Sequence, residues 1–377
     1  MRLYFNLLLF VPLFFLTTQC TKKKAEKIET KINELKSAEH YNMEDFKKVH
    51  KIDIHVHINS ETKVMINLAK ANNFRLFNIA VDANQQEYLS IKEQVKISYN
   101  LQKENPDIVI YGTAFSLNGW NNSDWSDKAI SQLKSDFDLG AVSVKTWKNI
   151  GMEAKDKDGN LIFIDDPKFD PIFKFIKDQS KVLMSHAGEP KNCWLPLDSM
   201  TVNNDRNYFK EHPEYHMHLH PELPSYEDQI MHRDNMLVKN PDLTFIGVHI
   251  ASLEWSVDKA AKFLDRFPNA SVDLAARISN TQYQSQKNRK KVRNFFIKYQ
   301  DRILYGTDLT EGETTNAIGL EKNIMEVWQS DWKYFNTDEM ITVPQLDKPV
   351  QGLALPKEVV DKIYHLNAEK IFTDAWK

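Results

Sequence analysis

The chain has 377 residues, 49 Lys and Arg against 52 Asp and Glu, a formal net charge of −3 and 42% hydrophobic residues. This composition suits a globular protein with a sizeable core and excludes a disordered or low-complexity chain. The net charge gives no electrostatic basis for nucleic-acid binding. Two cysteines, Cys20 and Cys193, cannot supply a disulfide framework, and one N-terminal apolar run excludes a polytopic membrane protein.

The N-terminus has the pattern of a targeting segment. Arg2 precedes an apolar run at residues 3–16, which is short for a membrane-spanning helix, and Cys20 follows soon after. This pattern resembles a bacterial lipoprotein signal. The resemblance implies that residues 1–19 are removed and that Cys20 is lipidated, which would anchor the protein to a membrane of the bacterial cell envelope. An ordinary cleaved signal and an uncleaved anchor are the alternatives.

Residues 20–48 are rich in Lys and Glu and nearly free of aromatic residues, and we expect them to form a lipidated N-terminus and polar tether. No second shift in composition follows. Residues 49–377 are therefore expected to form the main domain.

Short apolar runs rich in β-branched residues recur after residue 50 and predict eight strands. They cover residues 52–57, 75–81, 108–114, 141–145, 182–186, 244–249, 271–275 and 303–307. Amphipathic stretches between them predict helices, among them residues 88–104, 169–179, 256–267 and 287–300. This alternation implies parallel strands with right-handed crossovers, and eight units fit a closed (β/α)8 barrel. A doubly wound open sheet is the rival, but no Gly-rich phosphate loop follows the first strand.

The longest gap between predicted strands is residues 187–243, after the fifth strand. Its first part, residues 189–224, is rich in Pro, Asn, His and aromatic residues. A connection of this length is typically a lid or binding loop. It leaves the C-terminal face of the barrel, where barrel enzymes have their active sites.

Polar side chains of the types that bind metals stand at the predicted strand ends. They are His55 and His57 on the first strand, Lys145, His186 and His249 at the ends of the fourth, fifth and sixth, and Asp308 after the eighth. Such groups are costly inside a barrel unless they are neutralised, and metal coordination offsets that cost. The sequence therefore predicts a metal centre at the barrel mouth. Asp53 is a candidate hydrogen-bond partner for one of the ligand histidines.

The ordered motifs resemble the amidohydrolase superfamily. They are His55-Val56-His57, Val144-Lys145, Ser185-His186-Ala187-Gly188, Gly247-Val248-His249 and Leu304-Tyr305-Gly306-Thr307-Asp308. Residues 241–249, 267–274 and 363–368 are similar to the branch that includes metal-dependent decarboxylases and lactone hydrolases. The resemblance extends over about residues 50–375.

The resemblance implies a metal centre with a first ion bound by His55, His57 and Asp308, and a second by His186 and His249. In binuclear members a lysine at the position of Lys145 is carboxylated and bridges both ions. In many mononuclear members of the branch, the fifth-strand histidine joins the first ion and the sixth-strand histidine hydrogen-bonds water or substrate. An unmodified Lys145 that binds a substrate carboxylate also remains open, as do one ion and two, with Zn²⁺ the expected metal.

The resemblance further implies a metal-dependent hydrolase of a small ester, lactone or amide. Metal-activated water would be the nucleophile, Asp308 the general base and then acid, and His249 the group that stabilises the oxyanion. Glu189 and Arg277 are candidates for binding the substrate. The alternative reaction is metal-dependent decarboxylation of an aromatic or unsaturated acid. The alternative of another class is a lipid-anchored binding protein without turnover, which the intact ligand set disfavours.

Overall fold

The computed structural model describes residues 39–83, 89–373 and 375–376. The expected signal sequence, Cys20 and the tether as far as residue 38 lie outside these residues. One compact unit begins at His40 and contains the described strands and helices. Among the described residues, no helix combines the length and apolar character needed to cross a bilayer.

The described residues form one parallel sheet of nine short strands. They are β1 (Lys51–Asn59), β2 (Phe74–Ile79), β3 (Val109–Ala114), β4 (Ser143–Thr146), β5 (Val182–Ser185), β6 (Phe245–Gly247), β7 (Ala270–Asp273), β8 (Ile303–Leu304) and β9 (Leu309–Gly312). Strands β1 to β8 are neighbours in sequence order, and β9 lies on the other side of β1. A separate antiparallel pair consists of β10 (Met340–Ile341) and β11 (Val350–Gln351).

Strands β8 and β9 are the two halves of one interrupted strand that closes the sheet into a barrel. β8 pairs with β7, and β9 pairs with β1. Between the halves, the N–H of Ile54 donates to Tyr305 O at 3.1 Å and the N–H of Asp308 donates to His55 O at 2.8 Å. These bonds join the two edges of the sheet. The (β/α)8 barrel is therefore confirmed, and the doubly wound open sheet is excluded.

Among the strands that end earlier than the sequence predicts, two end at a left-handed turn. The strand expected at residues 244–249 ends at Gly247, because the backbone turns into the left-handed region at His249, with a φ of 58°. The strand expected at residues 303–307 stops at Leu304, and Asp308 has a φ of 68° before pairing resumes. At both places the turn carries a polar side chain toward the barrel mouth.

The helices are α1 (Val64–Ala71), α2 (Ile91–Glu104), α3 (Trp125–Asp138), α4 (Asp170–Asp178), α5 (Asn203–Glu211), α6 (Tyr226–Lys239), α7 (Val257–Arg266), α8 (Ile278–Lys298) and α9 (Ala317–Asn336). Helices α2, α4 and α7 match predicted helices. The helix predicted at residues 287–300 is the second half of α8, which is kinked at Asn288. Ser90 begins α2 with a reciprocal bond to Glu93, which fixes the helix start.

Shorter helical segments complete the described chain. Helical turns occur at Asn149–Met152 and Val248–Ala251, and a C-terminal run comprises Lys357–Asp361, Lys362–Leu366 and Asn367–Ile371. Turns of 3₁₀ type occur at Met43–Asp45, Pro167–Phe169, Lys191–Trp194, Leu197–Ser199, Pro213–Tyr215, Met217–Leu219 and Gln300–Arg302.

An apolar core fills the barrel below the polar strand ends. Its buried members precede those ends on the strands, and they include Ile52, Ile54, Phe77, Ile79, Ile110, Val182, Met184, Ile246, Val248 and Leu304. Ala368 and Phe372 of the C-terminal segment join the same cluster. Because protein interiors are close-packed, this core fixes the positions of the polar side chains above it.

The insertion after β5, residues 189–224, has an apolar cluster of its own, in which Cys193, Met200, Phe209 and Met217 are buried. The N–H of Asn203 at the start of α5 donates to Gln345 O at 2.9 Å, and its side chain donates to Pro344 O and Asp347. The insertion is therefore a packed layer rather than an open loop.

Residues 40–48 pack against the barrel. Phe46 is buried, the hydroxyl of Tyr41 donates to Asp361 at 3.0 Å, and Trp332 Nε1 donates to Asn42 O at 2.9 Å. These residues of the expected tether thus belong to the barrel unit, because their aromatic side chains bury apolar surface there.

Candidate metal centre

Four of the residues singled out in the sequence meet at the barrel mouth. His55 and His57 lie on β1, Asp308 lies between β8 and β9, and His249 follows β6. Oδ1 of Asp308 is 3.3 Å from Nε2 of His55 and 3.1 Å from Nε2 of His57. Oδ2 of Asp308 is 4.0 Å from Nε2 of His249. Three imidazoles therefore point the same ring nitrogen at one carboxylate.

Backbone carbonyl groups fix two of these rings from behind. Nδ1 of His57 donates to Ile79 O at 2.8 Å, and Nδ1 of His249 donates to Ala275 O at 2.8 Å. A carbonyl oxygen can only accept a hydrogen bond, so Nδ1 carries the proton in both rings and a neutral ring has its lone pair on Nε2. Hydrogen bonds from the far ring nitrogen to an acceptor orient metal-binding histidines in the same way.

A carboxylate fixes the third ring, and sequence reasoning missed it. Oδ2 of Asp273, at the end of β7, lies 2.8 Å from Nδ1 of His55, and its Oδ1 accepts the backbone N–H of His249 at 2.7 Å. Burial opposes ionisation of Asp273, but the adjacent His55 ring holds the pKa of this carboxyl below its usual range. The available signal was an acidic residue within an apolar predicted strand, where only a partner offsets the burial of a carboxylate.

Asp53 has a different role from the one the sequence suggests. Its Oδ2 accepts the Thr307 hydroxyl at 2.6 Å and Trp328 Nε1 at 3.2 Å, and its Oδ1 accepts the backbone N–H of Thr307 at 3.0 Å. Burial raises the pKa of Asp53 to about 7. Asp53 therefore holds the interrupted last strand against β1 instead of orienting an imidazole.

The protonation states of these residues follow from burial and from their neighbours. Burial lowers the pKa of His249 to about 3 and lowers the pKa of both His55 and His186. Burial opposes ionisation of Asp308, yet the surrounding histidines hold its pKa well below the usual range. Burial thus favours the neutral form of the His55, His186 and His249 rings, whereas its histidine neighbours favour the ionised form of Asp308.

The donor set fits a divalent metal ion. Nε2 of His55 and Nε2 of His57 lie 3.3 and 3.1 Å from Asp308 Oδ1. Two imidazole nitrogens and a carboxylate oxygen therefore lie within reach of a single cation. Imidazole nitrogen and carboxylate oxygen are ligands of Zn²⁺ and of other divalent transition metals. His55, His57 and Asp308 form one group with metal-binding spacing. His55, His249 and Asp273 have the same spacing, but Asp273 is there hydrogen-bonded to Nδ1 of His55.

Lys145 reaches the same centre from β4. Its Nζ donates to Nε2 of His55 at 3.2 Å, and burial lowers the pKa of Lys145 to about 8. Lys148 instead forms a close ion pair with Glu189, at the start of the insertion. Of these two lysines, Lys145 is therefore the one beside the candidate ligands.

His186 lies beside the centre without joining either group. Its ring meets that of His249 edge-on, with centroids 4.3 Å apart. Both ring nitrogens of His186 are buried and lack a hydrogen-bond partner in the described part of the chain. Oε2 of Glu189 is 3.8 Å from His186 Nε2, which is too long for a hydrogen bond. An imidazole that is buried in this way marks a place where a ligand would bind.

Arg277 follows β7 and is largely buried. Its Nη1 donates to Ala276 O at 3.2 Å and lies 3.9 Å from Oδ1 of Asp205, in the insertion. Its buried Nε has no partner among the described residues. The guanidinium charge helps to lower the pKa of His249, and the charge of Asp308 helps to raise the pKa of Arg277. Arg277 therefore interacts electrostatically with the candidate centre.

The family model described as amidohydrolase matches residues 120–373. The chain belongs to the amidohydrolase family. This confirms the resemblance found in the sequence, and amidohydrolases typically bind a divalent metal. No curated protein matches the chain.

Several solved structures are similar to this amidohydrolase at low sequence identity. 2,6-Dihydroxybenzoate decarboxylase from Rhizobium is 15% identical over 86% of this chain and 98% of that one, with a TM-score of 0.49. 4-Oxalomesaconate hydratase from Rhodopseudomonas palustris is 11% identical over 85% and 95%, with a TM-score of 0.45. 5-Carboxyvanillate decarboxylase from Novosphingobium aromaticivorans is 12% identical over 87% and 98%, with a TM-score of 0.43. Likeness at this level assigns neither substrate nor reaction.

Proposed function

We propose that this amidohydrolase is a metal-dependent hydrolase of a small ester, lactone or amide. The convergence of three Nε2 atoms on the Asp308 carboxylate, with Nδ1 of each ring held by an oxygen, carries the proposal. His55, His57 and Asp308 would hold a divalent ion, and Zn²⁺ suits these ligands. The unpartnered nitrogens of His186 are available to the same ion or to a second one.

A bound divalent ion lowers the pKa of water and polarises a carbonyl group. Asp308 is the group that transfers the proton of this water. Its side chain is 30% exposed, whereas that of His55 is fully buried, so this carboxylate is open to the mouth and can accept a proton from water and return it to the leaving group.

His249 fits a ligand or acceptor role better than the oxyanion-stabilising role that the sequence suggests. Its Nδ1 proton is committed to Ala275 O, so Nε2 of the neutral ring has no proton to donate. A hydrogen bond to an oxyanion would require the imidazolium form, which burial disfavours.

Lys145 distinguishes a centre with one ion from a centre with two. A carboxylated Lys145 beside His55 would bridge two ions, whereas an unmodified ammonium would bind an anionic group of the substrate. Arg277, with its free Nε, is the second candidate for that anionic group, since guanidinium groups bind carboxylates well. Glu189 is held by Lys148 beside His186, and it remains a candidate for contact with the substrate.

Decarboxylation of an aromatic or unsaturated acid is the second candidate reaction. The observation that favours it is the pair of buried cations, Lys145 and Arg277, near one carboxylate that can also deliver a proton to carbon. Release of CO2 across a panel of acids, measured against proton release from esters, lactones and amides, separates the two reactions. A protein that binds these compounds without converting any of them would instead be a binding protein.

We further propose that the enzyme acts at the bacterial cell envelope, anchored through a lipid on Cys20. The support is the order of the N-terminal segments: a basic residue, an apolar run, and a cysteine followed by Thr21 and three lysines.

The proposed function is tested by metal analysis of matched variants. We expect at least one tightly bound divalent ion per chain in the wild-type protein, and loss of both metal and turnover in His57→Ala. His365→Ala is the matched control, because His365 lies on the C-terminal helical run and pairs with Asp361 and Glu369. Active wild-type protein without metal would overturn the proposal. Measuring carboxylation of Lys145 by mass spectrometry under native conditions would decide between one ion and two.

A further inference from the structure

Asp273 connects two candidate ligands that come from different strands. Its Oδ2 pairs with Nδ1 of His55 on β1, and its Oδ1 accepts the backbone N–H of His249 after β6, at 2.8 and 2.7 Å. The side chain is completely buried. A single carboxylate therefore contacts both the ring of His55 and the backbone of His249.

The backbone that Asp273 holds is strained. Residues His249 to Ser252 have φ values of 58°, 58°, 54° and 55°, four non-glycine residues in succession in the left-handed region. This conformation brings Cβ close to the next carbonyl group, and a β-branched residue such as Ile250 rarely adopts it. Strained backbone of this kind persists only where surrounding contacts impose it, and it is concentrated at functional sites.

Hydrogen bonds at both ends impose the turn, and Asp273 makes the first of them. The hydroxyl of Ser252 donates to Gly188 O at 2.8 Å, and Arg233 donates to Ala251 O, so the end of the turn is held from neighbouring segments. At its beginning, the His249 N–H is held by Asp273. Loss of this bond would leave the beginning of the turn held by the bond between His249 Nδ1 and Ala275 O.

The two bonds require a carboxylate in particular. The ring N–H of His55 and the backbone N–H of His249 are both donors, as is the backbone N–H of Ala275, which lies 3.3 Å from Oδ1 of Asp273. An asparagine has one acceptor oxygen and one amide NH2, so it satisfies one partner and sets a donor against the other. If the NH2 group faced His55, this ring would have to place its proton on Nε2 and lose the lone pair that faces Asp308.

We propose that Asp273 is a positioning residue that fixes the tautomer of His55 and the left-handed turn of His249, and so prepares both rings for the metal. This inference rests on the proposed metal centre. It assigns Asp273 no contact with the metal or the substrate.

The test uses Co²⁺ as a probe, because its visible absorption reports ligand identity and geometry. We expect the Kd of metal-free Asp273→Asn for Co²⁺ to be about 10–100-fold higher than that of wild type, as is usual when an outer-shell partner is lost, with an altered absorption band. Asp136→Asn is the matched control. Asp136 is a buried carboxylate on α3 that accepts from Thr113 and Gln132, away from the centre.

Equal Kd values and identical Co²⁺ spectra in wild type and Asp273→Asn would overturn the inference while leaving the proposed function intact. Wild-type protein that takes up neither Co²⁺ nor Zn²⁺ would instead overturn the proposed function itself. A measurement on wild type avoids any folding defect of the variant: nitrogen NMR of labelled histidine should show His55 protonated at Nδ1 in the metal-loaded protein. A proton on Nε2 of His55 there would contradict the role of Asp273.

Discussion

The backbone N–H of Asp308 donates to the carbonyl oxygen of His55 at 2.8 Å, while the side chain of Asp308 lies 3.3 Å from Nε2 of the same histidine. The two residues are thus joined by main chain and side chain at once. The main-chain bond closes the barrel, and the side-chain approach creates the candidate metal centre. Any displacement of the last strand would therefore change the geometry of the site.

Replacing Asp308 with Asn separates proton transfer from backbone geometry. Asp308 has a φ of 68°, a conformation that Asn tolerates well among residues other than Gly. The amide cannot accept a proton at neutral pH, so the single-turnover rate should fall by roughly 10²–10⁴-fold, the usual contribution of general acid–base catalysis.

Substrate affinity should change less than this rate, because the lost interaction acts mainly in the transition state. Metal content must be measured in the same preparation, since an amide is a poorer ligand than a carboxylate. Near-normal turnover in a metal-replete Asp308→Asn protein would show that Asp308 is structural.

Substitution of Gly247 tests how closely the left-handed turn packs against the end of β6. A Cβ atom at Gly247 would lie 2.4 Å from Cβ of Ala251 and 3.0 Å from its Cα, so Gly247→Ala forces the turn to move. We expect a loss of about 1–3 kcal/mol in the free energy of unfolding, as in other overpacked sites, together with weaker metal binding.

Gly319→Ala on α9 is the comparison for Gly247→Ala. A Cβ atom there would meet no atom closer than 3.8 Å, and alanine is the better helix former by about 0.5–1 kcal/mol. Urea unfolding of both variants, with metal titrations, gives the readout. Equal stabilities would mean that the turn at Ala251 has more room than its geometry indicates.

The buried carboxyl of Asp331 predicts a pH-dependent gain in stability for Asp331→Asn. Burial raises the pKa of Asp331 from 3.8 to about 8, and the hydroxyl of Tyr305 donates to it at 3.0 Å. Between these pH values the unfolded chain has released a proton that the folded protein keeps, so this group destabilises the fold increasingly as the pH rises from about 4 to 8. Asparagine removes this effect.

The free energy of unfolding of Asp331→Asn should exceed that of wild type by roughly 1–3 kcal/mol at pH 8, and the difference should disappear toward pH 4. Asp338→Asn, at an exposed position just after α9, should show no such pH dependence. A constant difference between Asp331→Asn and wild type across this range would show that Asp331 is ionised in the folded protein.

The proposed anchor predicts a change of location for Cys20→Ser. Without the thiol no lipid can be attached, so the variant should leave the membrane fraction and lack the mass of the lipid. Cys193→Ser is the matched cysteine control, because Cys193 is buried in the insertion and should not affect partition. Membrane partition of Cys20→Ser equal to that of wild type would remove the lipoprotein hypothesis.

Local patterns predicted the barrel and most of its candidate ligands. The period of two on the first strand places His55 and His57 together, and strands that alternate with helices require a parallel sheet whose polar ends meet. His249 and Asp308 were found for the same reason. The backbone conformation of these two residues was not predicted. Left-handed turns at non-glycine residues depend on contacts such as that between Ser252 and Gly188, which no local sequence pattern indicates.

The partners of the histidines were the less predictable part of the site. Asp53 is two residues from His55 in sequence, yet its side chain binds Thr307 and Trp328, whereas the carboxylate that reaches Nδ1 of His55 is that of Asp273, 218 residues away. Similarly, Lys148 is three residues from Lys145, yet it pairs with Glu189, whereas Lys145 reaches His55. The distances between strand ends in the folded protein determine which of these side chains pair.

The interruption of the last strand also affects the order in which the candidate metal ligands come together during synthesis. His57 and Asp308 are 251 positions apart, so their encounter closes a very long loop, and contacts of such separation form late in folding. The N-terminal histidine pair leaves the ribosome long before its carboxylate partner exists. In the proposed metal centre, full chelation would therefore follow barrel closure, and metal uptake by newly made chains would report the last step of folding rather than the first.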